Sequence, residues 1–323
     1  MTFSLDTHWV WDFWLADDGE TFHMYYLHAP KSLGEERLRH RNARVGHATS
    51  VDLVDWTDHG VVLEPGAPGD FDATATWTGS VVKAPDGTWR MFYTGSVFVS
   101  PDSTTNVETV GVAVSTDLHH WTKRPGPLTQ ADSRWYETLG TSSWPEEAWR
   151  DPWVYLGPDG VTWHMLVTAR ANAGEEPDRG VIGHATSSDL DEWTVQPPLS
   201  APGVGFKHLE VPQIVSIDGR SLLLFSCDSP ALAGERAGGT GGIWSVEIDS
   251  TEGPFDVSRA SLLASERLYS GRVIRDRSGN DVLLAFLNST IDGDFVGTLS
   301  NPIPIGWSGD GGAIALTEKA GRA

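Results

Sequence analysis

The sequence predicts an all-β fold, a five-bladed β-propeller, from three observations. A Gly turn followed by an apolar run recurs five times, the block Gly-x-Ala-x-Ser-x-Asp-Leu-x-x-Trp-Thr recurs three times, and no convincing amphipathic helix interrupts them. The turns come in order. Asp18 and Gly19 precede TFHMYYL, Asp86 and Gly87 precede TWRMFYTG, and Asp159 and Gly160 precede VTWHMLVTAR. Asp218 and Gly219 then precede RSLLLFSCD, and Ser278 and Gly279 precede NDVLLAFLN. The second block follows the first three turns as VGHATSVDLVDWT (45 to 57), VGVAVSTDLHHWT (110 to 122) and IGHATSSDLDEWT (182 to 194). Degenerate copies are expected at GGIWSVEIDS (241 to 250) and GDFVGTLSN (293 to 301).

Within each unit, apolar residues run or alternate between Gly, Pro and Asp punctuation, which is strand chemistry. Four short strands per unit of roughly 65 residues make a propeller blade. Two β-sandwich domains would also suit the length and the short strands, but they do not need one block repeated in register. We therefore expect residues 1–323 to form a single propeller, with no C-terminal β-sandwich. The repeated Ser-x-Asp-Leu-x-x-Trp reads as scaffold. Its Ser and Asp close a turn while Leu and Trp pack between blades.

Composition excludes several classes. With 44 Asp+Glu against 23 Lys+Arg the net charge is −21, which repels nucleic acid and anionic membranes and suits a neutral ligand. No apolar stretch is long enough for a membrane span, and the first residues lack a basic, apolar leader, so a cytoplasmic protein is expected. Cys227 is the only cysteine and reads as a buried core thiol. With no Asp-rich calcium loop, and with His47, His164 and His184 in repeat strands, neither a metal nor a cofactor is expected.

The first strand of a blade lines the channel, so the residues just upstream of each Gly turn converge on the axis. These segments are 9–14 (WVWDFW), 77–80 (WTGS), 149–153 (WRDPW), 208–213 (HLEVPQ) and 269–272 (YSGR). Three carry an acid at or near the same offset: Asp12, Asp151 and Glu210. A carboxylate in an apolar strand costs several kcal/mol unless it is paired, and the axis offers chiefly Arg150 and Arg272 as partners. Three acids from three blades therefore point to a shared catalytic site. Around them Trp11, Trp77, Ser80, Arg150, His208, Gln213, Tyr269 and Arg272 are the candidate substrate-binding residues. Paired carboxylates in an aromatic cleft suit glycosidic cleavage: one protonates the leaving oxygen, and another attacks the anomeric carbon or activates water. A third can bind hydroxyls and stabilise the cationic transition state.

At these residues the sequence resembles the clan of five-bladed propeller glycosidases that joins glycoside hydrolase families 32 and 68, the invertases, inulinases, levanases and levansucrases. The segment around Asp12 resembles the levansucrase-type Trp-Asp motif, and residues 77–80 resemble Trp-Ser-Gly-Ser. Residues 150–152 match Arg-Asp-Pro, and residues 210–212 resemble Glu-Cys-Pro or Glu-Arg-Pro. The four motifs stand in the family's order, and the likeness covers roughly 5 to 305. It implies cleavage of β-fructofuranosidic bonds in sucrose or short fructo-oligosaccharides by a retaining mechanism, with transfer to a second sugar as a related outcome. Asp12 would be the nucleophile, Glu210 the acid/base, and Asp151 with Arg150 the binder of the fructosyl 3- and 4-hydroxyls. Two departures bear on the sugar: the Asn-Asp-Pro-Asn-Gly form of the first motif is missing, and Val211 follows the acid. The rival readings are an inverting arabinofuranosidase or xylosidase like those of family 43, and a carbohydrate-binding propeller without catalysis. Asp228 is a candidate for reaching the cleft or for a turn, and Trp144, in the loop 137–148, for a leaving-group platform. Sucrose 6-phosphate is the weaker substrate candidate, because these segments offer few cations for a phosphate.

Overall fold

The computed structural model describes residues 3–290, 294–308 and 313–317. Five antiparallel sheets follow one another along the chain. Blade 1 comprises His8–Asp17, Phe22–Pro30, Arg44–Ser50 and Thr57–Leu63. Blade 2 comprises Ala75–Lys83, Trp89–Phe98, Asn106–Ser115 and Thr122–Lys123, and Glu146–Glu147 adds in parallel to its third strand. Blade 3 comprises Trp149–Leu156, Trp163–Arg170, Gly180–Ser187 and Thr194–Gln196, and blade 4 comprises Glu210–Ile217, Arg220–Cys227, Gly242–Glu247 and Ser261–Ser265. In blade 5, Leu268–Arg275 pairs with Asp281–Ser289, which takes both Phe295–Leu299 and Ile303–Trp307 as neighbours before Ile314–Leu316 closes the sheet. The first strands touch in a ring that returns from blade 5 to blade 1, giving the five-bladed propeller. No helix among the described residues is long and apolar enough to cross a membrane.

The repeats account for this regularity. All five turn glycines have φ between +70° and +99°, a conformation that glycine adopts without steric cost. In the second block, the Ser50 hydroxyl accepts from the amides of Asp52 and Leu53, and Asp52 accepts from those of Val54 and Asp55. The turns at Ser115 and Ser187 repeat the pattern. Leu53, Leu118 and Leu190 take positive φ at a cost of about 1–2 kcal/mol each, which their complete burial offsets. The block is therefore scaffold. The fourth copy is a strand, Gly242–Glu247; the fifth falls on Phe295–Leu299, with Gly293 outside the described residues.

The core divides into clusters between successive blades, and the fully buried Trp14 and Trp149 are among its largest side chains. At ~25 cal/mol per Å² and roughly 150–250 Å² per ring, each contributes on the order of 4–6 kcal/mol. Cys227 is a fully buried free thiol in the cluster of blades 3 and 4.

Candidate active site

Every inner strand carries a bulge at the same level. Pairing slips between Val10 and Phe13, Trp77 and Gly79, Arg150 and Trp153, Glu210 and Gln213, and Tyr269 and Arg272. Pro152 and Pro212, which lack an N–H to give to a ladder, sit in two of these bulges, where a strand tolerates proline. In blade 2 a Cβ on Gly79 would lie 2.1 Å from the Phe92 carbonyl oxygen, so only glycine fits. Asp151, Val211 and Ser270 take positive φ within the bulges. A bulge re-aims adjacent side chains. Here it brings the acids to one cleft although they hold different places: Glu210 precedes its bulge, Asp151 opens one, and Asp12 is the second bulged residue.

The cleft encloses about 650 Å³ and is lined by Asp12, Asp151 and Glu210. Of the other sequence candidates, Trp11, Trp77, Arg150, His208 and Tyr269 also line it. Asp12 accepts from the Thr78 hydroxyl at 2.7 Å and the Ser270 hydroxyl at 2.5 Å. Burial raises its pKa, and those two hydrogen bonds oppose the rise. Asp151 accepts from the Thr168 hydroxyl at 2.8 Å and the Val211 amide at 3.1 Å. Burial lifts it to about 7 against the pull of Arg150, with Asp12 and Glu210 adding to the rise. Glu210 accepts from Arg150 Nη2 at 2.8 Å and the Tyr269 hydroxyl at 2.6 Å, and His208 Nε2 lies 3.5 Å away. Burial raises it too, but His208, Arg150 and Tyr269 together hold it at about 2. The cleft thus sets its carboxyls apart, with Glu210 held low and Asp12 and Asp151 raised by burial.

Arg150 is the cationic hub. Besides Glu210, it reaches Glu108 at 3.0 Å, Glu146 at 3.4 Å and Asp151 at 3.6 Å. Glu108 is completely buried, and burial pushes it up to about 8 despite Arg150. Glu108, Thr78 and Ser270 escaped the sequence reading, although Glu108 had left a signal. Aligned on the second block, it falls where blades 1 and 3 have Ala43 and Gly180.

Three candidates turn away from the cleft. The Ser80 hydroxyl accepts from the Val154 amide, and Gln213 exchanges hydrogen bonds with both backbone groups of Val273. Arg272 donates to the carbonyls of Val211, Pro212 and Phe13, tying three inner strands together. Each lies beyond its strand's bulge, where its side chain is taken up by the inner strand of another blade. Trp144 is not a cleft platform either, because it packs under Arg170 and edge-on to His208, while Glu146 of the same loop reaches the lining. Asp228 serves both uses: it lines the cleft and accepts from the Ala231 amide in a turn. His208, Cys227 and Asp228 also bring potential ligand atoms together at the cleft wall.

The rim adds cations to the cleft. The short 3-10 segment Glu36–Asn42 carries Arg37, Arg39 and Arg41 to the cleft, cations that the axial segments did not include. Arg41 is committed to the carbonyls of Ser100, Pro101 and Ser103, and Arg37 to Glu35. Arg39 lies over the Phe295 ring at 4.0 Å, and its buried Nε has no hydrogen-bond partner among the described residues.

Comparisons with known proteins agree with this architecture. Escherichia coli sucrose-6-phosphate hydrolase is 28% identical over 210 residues, 64% of this chain and 39% of that protein. The Pediococcus pentosaceus sucrose-6-phosphate hydrolase is 31% identical over 180 residues, 55% of this chain and 32% of that protein. The matches thus span under half the length of these two relatives. Extracellular sucrase of Zymomonas mobilis is 25% identical over 338 residues, covering 89% of this chain and 78% of its own. The same fold occurs in the inulosucrase from Halalkalicoccus jeotgali bound to kestose, with TM-score 0.79, 23% identity and coverage of 95% of this chain and 86% of that one. The sequence profile described as "Glycosyl hydrolases family 32 N-terminal domain" matches residues 14–296. A match over most of the chain, on a propeller whose inner strands converge three carboxylates, places it by descent: this chain belongs to glycosyl hydrolase family 32.

Proposed function

We propose that this chain is a β-fructofuranosidase, one propeller acting on sucrose or short fructo-oligosaccharides with retention of configuration. The observation that carries the reading is the convergence of Asp12, Asp151 and Glu210 from three blades on one cleft. Asp12, steadied on both oxygens by Thr78 and Ser270, attacks the anomeric carbon. Glu210 protonates the leaving oxygen and then activates water for the second half-reaction. His208, Arg150 and the Tyr269 hydroxyl hold its pKa low, and it gains its proton as the sugar excludes water and draws Arg150 onto its hydroxyls. Asp151 and Arg150 hold those hydroxyls as positive charge develops on the ring.

A screen of sucrose and short fructans against nitrophenyl arabinofuranoside and xyloside, followed by time-resolved NMR, tests this reading. Fructose released first with the substrate's anomeric configuration, and a retained methyl fructoside in methanol, are the expected results. An inverted first product favours family 43-like chemistry, and binding without turnover favours a carbohydrate-binding propeller. Two observations support a phosphorylated sugar as a second reading: Arg39 keeps at the cleft an Nε with no partner among the described residues, and two relatives are named sucrose-6-phosphate hydrolase. A KM for sucrose 6-phosphate well below that for sucrose, abolished by Arg39→Gln, is its signature.

A further inference from the structure

Apart from the cleft, four histidines gather where the outer strands of blade 1 meet the turn after the third strand of blade 2. His47 is fully buried, while His59 and His119 are exposed beside it. The ring centroids of these three lie 4.9–5.2 Å apart, and each ring brings one nitrogen within 4.8 Å of the other two. Behind them, His23 Nδ1 and His47 Nε2 share a hydrogen bond of 3.0 Å, and His23 Nε2 lies 3.4 Å from Asp18 Oδ2. The buried Nδ1 of His47 has no hydrogen-bond partner among the described residues.

We infer that His47, His59 and His119 bind one divalent d-block cation of the zinc type, which clamps blade 1 to blade 2. His23 and Asp18 form its outer shell. Three imidazole nitrogens and a water make a common open zinc coordination, and a ligating histidine commonly donates its other N–H to a group that fixes its ring. The Asp18, His23, His47 series supplies that support. Zinc–nitrogen bonds of ~2.0–2.1 Å require ligand nitrogens about 3.4 Å apart. The remaining approach falls to His59 and His119, the two exposed rings.

Blade 3 provides an internal control. His164 and His184 repeat the stacked pair, with the same 3.0 Å hydrogen bond, so the pair alone is scaffold. In blade 3, Gln196 pairs directly with His184. In blade 1 the pairing passes from Gly60 to Asp58, leaving His59 as the extra residue of a bulge, and His119 adds the third ring from the neighbouring blade. The expectation of no metal rested on one cysteine, no calcium loop and the reading of His47 as a packed strand residue. It could not anticipate ligands from two strands and a turn that share no spacing motif.

Zinc titration of the metal-free full chain against a chromophoric chelator tests the proposal, with Co²⁺ spectra reporting geometry. One ion per chain, a tetrahedral Co²⁺ spectrum and a zinc-dependent rise in Tm are expected. His59→Ala with His119→Ala alters exposed positions only, and should retain the native circular dichroism while abolishing all three effects. Asp18→Asn should weaken zinc binding by about 10- to 100-fold. Absence of stoichiometric binding overturns the site. So does unchanged binding in the double variant, which would place the ion elsewhere, for example at His208, Cys227 and Asp228.

Discussion

Blades 1 and 3 are near copies on the outside and different instruments on the inside. Both carry Gly-His-Ala-Thr-Ser on the third strand, a stacked histidine pair behind it, and the same Ser-x-Asp-Leu-x-x-Trp turn. Both inner strands bulge at the same level, yet Asp12 is the second bulged residue of its strand and Asp151 the first of its own. One place along the chain exchanges the surroundings. Asp12 receives hydroxyls from blades 2 and 5, whereas Asp151 receives a backbone amide, Thr168 and the nearby Arg150. The comparison teaches that repeated residues hold the blades and that departures from the repeat line the cleft.

The most severe break in the comparison is at the reacting pair. Asp12→Asn and Glu210→Gln should fold normally and lose on the order of 10³-fold or more in kcat, within the usual ~10²–10⁴ range of acid-base assistance for Glu210 and at its upper end or above for the nucleophile. Stopped assays on purified, folded variants check this, and more than a tenth of wild-type activity in either would unseat the assignment. Asp151→Asn tests the contrasting role. Loss of hydroxyl contacts that strengthen in the transition state should lower kcat/KM by about 10²-fold or more while the fold persists, and an unchanged value would remove Asp151 from the site.

Thr78→Val sharpens the difference between the two aspartates, because it removes a donor from Asp12 alone. That hydrogen bond lowers the Asp12 pKa, so its loss should move the acid limb of the kcat/KM profile to higher pH and cost about tenfold in rate. A pH-rate series decides it. Glu108→Gln acts on stability through pH. The fold raises this carboxyl from 4.5 to about 8, so the native state holds a proton that the unfolded chain releases. Its contribution to stability is therefore lost as pH rises from about 4.5 to about 8, and Glu108→Gln should flatten Tm across that window. The smallest effect belongs to the shared scaffold. Asp52→Ala and Asp189→Ala should each cost about 1 kcal/mol of stability, nearly equally, and leave kcat alone. A clear inequality in denaturant unfolding would show that the two turns are not equivalent.

What the sequence determined by itself was the periodic part and its exceptions. Turn glycines and the Ser-x-Asp-Leu-x-x-Trp block act through local hydrogen bonds and burial, so each copy announces its own structure, and five copies announce a propeller. Asp12, Asp151 and Glu210 were legible because a carboxylate in an apolar inner strand is costly unless it is used. Tertiary structure decided what depends on register and on neighbouring blades. Ser80, Gln213 and Arg272 were misplaced because their side chains bond to the inner strands of other blades, partners that no spacing in the chain reveals. Thr78 and Ser270 act on Asp12 from 66 and 258 residues away, and Glu108 on Arg150 from 42 residues away. The Glu36–Asn42 segment brings its arginines to a cleft whose axial acids give no sign of them. Side chains that meet only when blades close into a ring have no spacing in the chain to reveal them, because the distance between them is set by packing and not by sequence.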